Sequence, residues 1–367
     1  MKVFDNDTYN LSMNYPLEHF GEPEKIVFFD IETTGLSAKT SSVYLIGCCY
    51  FNGSKWVLKQ WFASTPDEEA EILNAFSDFL DSFEILIHFN GNKFDIPFLN
   101  ERLEKHDLFI PFDNFIGVDI YRRVFPFRHF LKLSNCKQKT LEEYLGIMRE
   151  DVYSGGELIA VYKEYCEAPS DESLSFLLQH NADDLAGMTS ILPIFSFIDF
   201  LQDDFVVKKV QLNTYNDVNA EKRRELLITF TFPTSLPHSI SYHANDCYFS
   251  AKENEGMLKV PIYTEEMRYF YEDYNSYYYL PEEDVAIHKS VASFVDPAFR
   301  ENATAATCYT RKVSNYLPQW DYIFAPFFKR EYQSKNLFFE LTDEFKTDRE
   351  AFSTYASHIL SMMVKIH

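Results

Sequence analysis

Positive charge is scarce in this sequence. Its 367 residues include 34 lysines and arginines against 56 aspartates and glutamates, a formal net charge of −22. The imbalance is concentrated in residues 1–204, where 34 acids face 16 bases (net −18), whereas residues 205–367 carry 22 against 18 (net −4). A field this negative repels polyanions. A nucleic-acid ligand would therefore need local basic contacts, or metal ions that bridge its phosphates.

Glycine, proline and long apolar runs are also few. The 11 glycines and 15 prolines leave no room for a long flexible linker. The longest apolar stretch, residues 191–201, is interrupted by Pro193 and Asp199 and is too short to span a bilayer, so we expect no membrane association. The first ten residues lack the basic and apolar regions of a signal peptide.

Zinc-type cysteine spacing is missing as well. The six cysteines, at positions 48, 49, 136, 166, 247 and 308, form no metal-binding motif. This pattern predicts buried, reduced thiols in a cytoplasmic protein.

The stretch IVFFDIETTGL, residues 26–36, joins a buried strand to two acids. Its first four residues are β-branched or aromatic, which indicates a strand buried on both faces. Side chains two apart in a strand point the same way, so Asp30 and Glu32 would lie together at the end of the strand. Paired carboxylates suit hard cations such as Mg²⁺ or Mn²⁺. The alternative is that both acids are simply solvated.

Two further acids fall at the ends of predicted elements. Asp95 follows the buried strand Glu84 to Phe89, and Asp184 lies on a helix that begins near Ser170. The ends of neighbouring strands and the adjoining helices form the usual ligand crevice of an α/β sheet. Four carboxylates converging there would hold two divalent ions, an arrangement used for in-line displacement at phosphorus.

The order of elements predicts two domains. Asn52-Gly53 indicates a β-hairpin, and Thr65, Pro66 and Glu68 read as the capping box of a helix. Strands then alternate with helices, which predicts an α/β mixed sheet flanked by helices over residues 1–204. In residues 205–367 strands are separated by polar turns and a final helix follows, so we expect a second, α+β C-terminal domain.

Three motifs carry a family resemblance. FDIETTGL, FNGNKFDIPFL and HNADDL resemble the signature blocks of the DEDD superfamily of 3′-5′ exonucleases, which has a ribonuclease-H-like fold. RHFLKLSNCKQKTLEEYLGIMRED and GGELIAVYKEY resemble the YprB-type ribonuclease-H-like domain. The resemblance covers roughly residues 24–198 and does not extend past Asp204.

This resemblance implies a site. Four carboxylates would bind two Mg²⁺ or Mn²⁺ ions that together activate a water and stabilise the leaving oxygen: Asp30, Glu32, Asp95 and Asp184. Residues just past the first acids would lie against the terminal nucleotide, namely Thr33 and Leu36. Asn90 either matches an asparagine often found before the second acidic block or serves only as a turn residue.

His180 departs from the better-known subgroups, because it stands four residues before Asp184. On a helix this spacing puts both on one face, where a histidine could act as general base. It could instead only hydrogen-bond a carboxylate. The helical wheel also separates two neighbouring acids: Asp184 falls at the edge of the apolar stripe, and Asp183 points to solvent.

One window in this acidic chain contains no acid. Residues 120–141 carry Arg122, Arg123 and Arg128 together with three lysines and interleaved phenylalanines. Such a window could contact phosphates and stack on bases, or it could be a solvated loop.

Two hypotheses of function follow. The first is a metal-dependent 3′-5′ exonuclease that hydrolyses phosphodiester bonds at single-stranded DNA or RNA 3′ ends. The second is a catalytically silent or partner-activated scaffold on a nuclease fold, with a protein partner bound through the C-terminal domain.

Overall fold

A computed structural model describes residues 1–9, 11–148 and 155–365. The chain divides into two compact units, Met1–Ile198 and Asp199–His367. The boundary expected from the sequence, at residue 204, lies six residues later. Residues 149–151, which end the motif that begins at Arg128, lie outside the described residues.

The first unit is built on a six-stranded mixed sheet. Its strands are β1 (Lys2–Asn6), β2 (Ile26–Thr33), β3 (Val43–Phe51), β4 (Trp56–Phe62), β5 (Ile85–His88) and β6 (Ile116–Asp119). They lie in the order β1-β4-β3-β2-β5-β6. β2 pairs antiparallel with β3 and parallel with β5, and β5 pairs parallel with β6. β2 therefore lies inside the sheet, where its apolar start is fully buried. The predicted mixed α/β sheet is confirmed.

Helices cover both faces of this sheet. They are α1 (Glu69–Leu80), α2 (Asp95–Lys105), α3 (Ile120–Val124), α4 (Gln138–Tyr144), α5 (Gly155–Glu167), α6 (Asp171–Ser190) and α7 (Ser196–Asp199), the last of which reaches the unit boundary. One core forms between the sheet and α1 and α2. Another forms on the opposite face with α5 and α6, where the rings of Tyr44 and Tyr162 stack with centroids 4.1 Å apart.

Two neighbouring cysteines mark the two faces of β3. Cys48 belongs to the core on the α1 side, and its ladder partner is Phe29. Cys49 pairs with Phe28 and points the other way, because side chains alternate along a strand. All six cysteines are free thiols; five are buried and Cys166 is half-buried.

The β3–β4 hairpin forms as predicted, with Phe51 opposite Trp56 and Gly53 at a φ of +91°. The predicted capping box at Thr65 is wrong. Residues Pro66–Glu68 form a 3₁₀ turn, and Thr65 makes no side-chain cap. The carboxylate of Glu68 accepts a hydrogen bond from the N–H of Ser64 at 2.6 Å and also interacts with the N–H of Thr65. Helix α1 begins at Glu69.

The helical run from Asp171 to Gln202 contains an 18-residue window with a mean hydropathy of 1.4, so it is long and apolar enough to cross a membrane by length and composition alone. However, 61% of that window is buried inside the protein. α6, the first part of the run, packs on β2 and β3. This packing accounts for the buried apolar residues of α6.

The second unit combines sheets with a C-terminal helix. Its strands are β7 (Val206–Asn216), β8 (Lys222–Thr231), β9 (Ile240–Ala244), β10 (Cys247–Lys252), β11 (Glu255–Pro261), β12 (Tyr263–Phe270), β13 (Tyr277–Leu280), β14 (Val285–His288), β15 (Glu301–Asn302), β16 (Tyr309–Gln319), β17 (Phe327–Phe328) and β18 (Leu337–Glu340). They form sheets in the orders β7-β8-β11-β10-β9, β12-β16-β18-β17 and β14-β13-β15. The helices are α8 (Asp343–Thr347) and α9 (Arg349–Lys365). The predicted α+β character is confirmed.

Candidate active site

The first two acids stand at the end of β2. Asp30 and Glu32 point to the same side of the strand and are half-buried, and Glu32 keeps 12% of its side chain exposed. Asp30 is opposite Gly47 in the β2–β3 ladder, and the register shifts just after Glu32. The apolar start of β2 fixes the strand in the sheet, so the two carboxylates are held where the strand leaves the core.

Asp95 is the first residue of α2 and is only 6% exposed. Its carboxylate accepts a hydrogen bond from the backbone N–H of Ile31, which brings α2 against the end of β2. Burial raises the pKa of Asp95 to about 7 against the effect of its backbone hydrogen bonds, and the charge of Asp119 adds to the rise. Near neutral pH the carboxyl of Asp95 is therefore only partly ionised in the metal-free protein.

The carboxylates repel one another. Burial raises the pKa of Asp30 well above its ordinary value, and three neighbouring acids raise it further: Asp95, Glu32 and Asp184. The pKa of Glu32 is also raised well above normal, first by burial and then by Asp184 and Asp95. Asp30 and Glu32 are therefore each within electrostatic range of Asp95 and Asp184.

α6 supplies the remaining groups. Nε2 of His180 lies 3.3 Å from Oδ2 of Asp184, one helical turn away, and 3.7 Å from Oε1 of Glu32. Ligand atoms of these three residues lie within 4.8 Å of one another and could hold one metal ion. His180 therefore lies inside the acidic cluster, where it can act as a ligand, as a proton acceptor or as an orienting group.

Asp183 takes part in a different set of contacts. Its Oδ1 accepts hydrogen bonds from the hydroxyl of Tyr9 and from Nε2 of Gln179. The expectation that Asp183 points to solvent is wrong, because the side chain is half-buried. The geometry nevertheless separates the two neighbouring acids, since Asp184 meets Glu32 and His180.

A buried amide pair behind the acids was not found from sequence. Asn181 is fully buried, and its Nδ2 donates to Oδ2 of Asp30 at 3.0 Å. Its Oδ1 accepts from Nε2 of Gln60 at 2.8 Å, and the same nitrogen donates to the carbonyl of Leu178 at 2.9 Å. Asn181 thus fixes the orientation of the Asp30 carboxylate. The sequence signal that could have identified Asn181 is its polar side chain on the buried face of the helix, one position after His180.

Asp119 is a second residue that the sequence analysis missed. Buried at the end of β6, it accepts hydrogen bonds from the N–H groups of Asn90, Asn92 and Arg122, at 3.0, 3.3 and 3.2 Å. It thereby fixes the turn that precedes Asp95. Asn90 has a φ of +62°, which Asn tolerates better than most residues, and its turn role is the one that the structure displays.

The loop after β2 presents contrasting side chains. The hydroxyl of Thr33 donates to the carbonyl of Gly35 at 2.9 Å, so it holds the turn. Leu36 is 86% exposed. It lies in the loop that follows β2, four residues after Glu32.

The three predicted arginines differ in their surroundings. Arg122 is exposed, and no hydrogen bond or ion pair of its side chain occurs among the described residues. Arg123 lies over the ring of Phe20 at 5.2 Å. Arg128 donates from Nε and Nη2 to two carbonyls of its own loop, those of Leu133 at 3.3 Å and Ser134 at 2.6 Å. Its guanidinium therefore already has a structural role.

Residues 27–194 match the model of a family described as the RNase H superfamily. The match falls on the part of the chain where the motifs predict a ribonuclease-H-like domain. No curated protein matches the chain. An RNase H-like fold with an acidic cluster at the end of its central strand supports a nuclease.

Solved structures give weaker likenesses. The family B DNA polymerase of the hyperthermophilic archaeon Pyrobaculum calidifontis is 17% identical, with a TM-score of 0.40, over 49% of this chain and 25% of that one. E. coli exonuclease I in complex with a dT13 oligonucleotide is 10% identical, with a TM-score of 0.31, over 56% and 54%. The chain therefore spans a quarter to about half of these proteins, and the assignment rests on the family model.

Proposed function

We propose that this protein is a metal-dependent 3′-5′ exonuclease that hydrolyses single-stranded nucleic acid with two divalent ions. The observation that carries the proposal is the convergence of four acids at the end of β2, three of them with raised pKa values: Asp30, Glu32 and Asp95. In the described part of the chain, none of these three forms an ion pair with a lysine or arginine.

This donor set fits Mg²⁺ or Mn²⁺. Buried carboxylates without cationic partners cost free energy, which bound cations would offset. The ligand atoms are oxygens, apart from the imidazole of His180, and hard ions prefer oxygen. Two ions held by Asp30, Glu32, Asp95 and Asp184 would supply the positive charge that stabilises an in-line displacement at phosphorus.

The protein's own groups would perform the other steps. Leu36 would pack against the terminal base, and the turn held by Thr33 would set its position. Nε2 of His180 faces the same space as Glu32 and Asp184, where it would accept the proton of the attacking water. Asn181 would keep Asp30 in its orientation throughout.

The two neighbouring acids of α6 provide a matched test. Purified protein would be incubated with oligonucleotides labelled at the 5′ or the 3′ end, with Mn²⁺ or with excess EDTA. We expect wild type and Asp183→Asn to shorten the 5′-labelled strand stepwise from its 3′ end, and Asp184→Asn to be inactive.

Cleavage that persists in EDTA would refute the metal mechanism. Equal loss in both variants would refute the assignment of Asp184. Binding without cleavage in wild type would favour the scaffold hypothesis.

A further inference from the structure

A cleft of about 680 Å³ opens beside the loop that follows β2. Its walls come from that loop, the start of α1, the end of α2 and the end of α5, all in the first unit. Thr34 lines it, two residues after Glu32, which is about 7 Å along an extended chain. The cleft therefore begins next to the acidic cluster.

A buried ion pair between Arg102 and Glu69 holds the wall of the cleft. Arg102 donates from Nε and Nη2 to the Glu69 carboxylate, at 2.8 and 2.5 Å, and from Nη1 to the carbonyl of Ala38 at 2.8 Å. Glu69 also accepts from the N–H of Val43 at 2.7 Å and contacts Nε2 of His106 at 2.9 Å. Burial alone would raise the pKa of Glu69, but these hydrogen bonds hold it below its ordinary value. The loop is thus pinned to α1 and α2.

The hydroxyl groups of the loop are also fixed. The Oγ1 of Thr34 accepts from the N–H of Ser42 at 2.9 Å, and the N–H of Thr34 donates to the carbonyl of Ser42 at the same distance. The two ends of the loop are therefore tied together. A ligand would meet a surface that is already ordered, which lowers the entropy cost of binding.

Three lysines surround the cleft: Lys39 on the loop, Lys105 at the end of α2 and Lys163 on α5. All three are exposed, and none forms an ion pair with another described residue. The acids of the cleft are Asp67, Glu167 and Glu69, of which Glu69 is already neutralised by Arg102. The residues that line the cleft therefore carry a formal charge of +1, in a chain of net charge −22.

We propose that this lysine cleft binds the phosphodiester backbone of the nucleic-acid strand a few nucleotides away from the bond that is cleaved. The proposal rests on the proposed function of the acidic cluster. The ordered loop carries both Leu36, next to the cluster, and Lys39, on the cleft. A strand whose terminal base meets Leu36 would extend its phosphates over the three lysines, whose charges offset the repulsion from the rest of the chain.

The test compares two triple variants of the full chain. One carries Lys39→Gln, Lys105→Gln and Lys163→Gln. The control carries three lysine-to-glutamine substitutions at exposed, ion-paired positions elsewhere: Lys25, Lys55 and Lys346. Both lose the same net charge, and thermal unfolding checks that both remain folded. Binding of fluorescent oligothymidylate of about 12 nucleotides would be measured by anisotropy in EDTA over a salt series.

We expect the cleft variant to bind the oligonucleotide roughly tenfold more weakly. The magnitude of the slope of log affinity against log salt should fall by about 2, since each of three lost single-strand phosphate contacts contributes about 0.7. The control should match wild type. Equal behaviour of the two variants, or no binding by wild type, would overturn the cleft proposal. The outcome is independent of cleavage, so failure of the exonuclease proposal is seen separately.

Activity adds a second readout. With Mn²⁺, the cleft variant should hydrolyse a dinucleotide as fast as wild type and the longer oligonucleotide more slowly at low substrate concentration. A dinucleotide contains a single phosphodiester, the one that is cleaved, so it offers no further phosphate to the lysines. Equal loss on both substrates would assign the lysines to the folding of the loop rather than to the strand.

Discussion

Gly47→Ala should disturb both the stability and the metal affinity of this protein. Gly47 faces α6 from β3, directly opposite Asp30. A Cβ at this position would lie 1.9 Å from Oδ1 of Asn181 and 2.7 Å from Cδ1 of Leu185. Both side chains are fully buried, so neither can move aside into solvent. The helix must shift away from the sheet, or Asn181 must give up its hydrogen bonds.

Either response has a calculable cost. Overpacking a core typically costs about 1–3 kcal/mol. Displacing Asn181 leaves the Nε2 of Gln60 with only the carbonyl of Leu178, and a weakened or unmade buried hydrogen bond costs about 1–3 kcal/mol. We therefore expect Gly47→Ala to lower the free energy of unfolding by roughly 1–3 kcal/mol, whichever response occurs. Because Asp30 loses its orienting partner, metal affinity should fall roughly 10- to 100-fold.

Urea unfolding and Mn²⁺ titration measure the two effects. Gly117→Ala, in β6 of the same sheet, is the matched control, since a Cβ there has no heavy atom within 4 Å. The double variant Gly47→Ala with Asn181→Ala removes the contact with Asn181 but not the one with Leu185, so it should recover part of the stability lost in Gly47→Ala and none of the metal affinity. If Gly47→Ala unfolds at the same urea concentration as Gly117→Ala, the packing argument is wrong.

Three further predictions follow from the site. His180→Ala should lower turnover by roughly 10²–10⁴ as a lost general base, with little change in metal affinity; a rate restored by excess metal would instead identify a ligand or orienting residue. Because burial raises the pKa of Asp95 to about 7, the folded state favours the protonated carboxyl. This contribution to the stability of the metal-free protein is complete below pH about 4, and at most about 4 kcal/mol of it is lost as the pH rises to about 7. Denaturant unfolding with and without Mn²⁺ should show that decline only without metal, and a metal-free protein of constant stability across this range would contradict it. Arg122→Gln and Arg123→Gln should each lower the salt slope of oligonucleotide binding by about 0.7, whereas Arg128→Gln should act through its own loop; unchanged slopes would make the first two ordinary surface residues.

Local chemistry made much of the first unit predictable. An apolar run followed by Asp30 and Glu32 specifies a strand that leaves the core, and Asn52-Gly53 specifies a tight hairpin. The spacing of His180 and Asp184 places both on one face of a helix, and the structure brings them to 3.3 Å. Each of these signals lies within a few residues of the feature that it predicts.

The missed features depend on contacts between distant parts of the chain. Gln60 and Asn181 are 121 residues apart. The Arg102–Glu69 pair joins residues that are 33 apart in sequence, and it forms because α1 and α2 lie side by side. The capping box at Thr65 failed because the hydroxyl of Thr65 makes no cap, although the carboxylate of Glu68 reaches back to the N–H of Ser64. No periodicity or motif indicates which buried polar groups will meet across a sheet.

The reactivity of the two neighbouring thiols on β3, Cys48 and Cys49, would report how often the helical layers that cover the sheet open. Burial raises the pKa of Cys48 and of Cys49, so little reactive thiolate exists while the sheet is covered. Modification by a thiol reagent then requires that a covering layer lifts away. Cys48 reports on the layer of α1, and Cys49 on the side that α6 covers. With each cysteine retained singly, the two labelling rates would show which layer leaves the sheet first, and whether metal at the acidic cluster slows the departure of α6 alone.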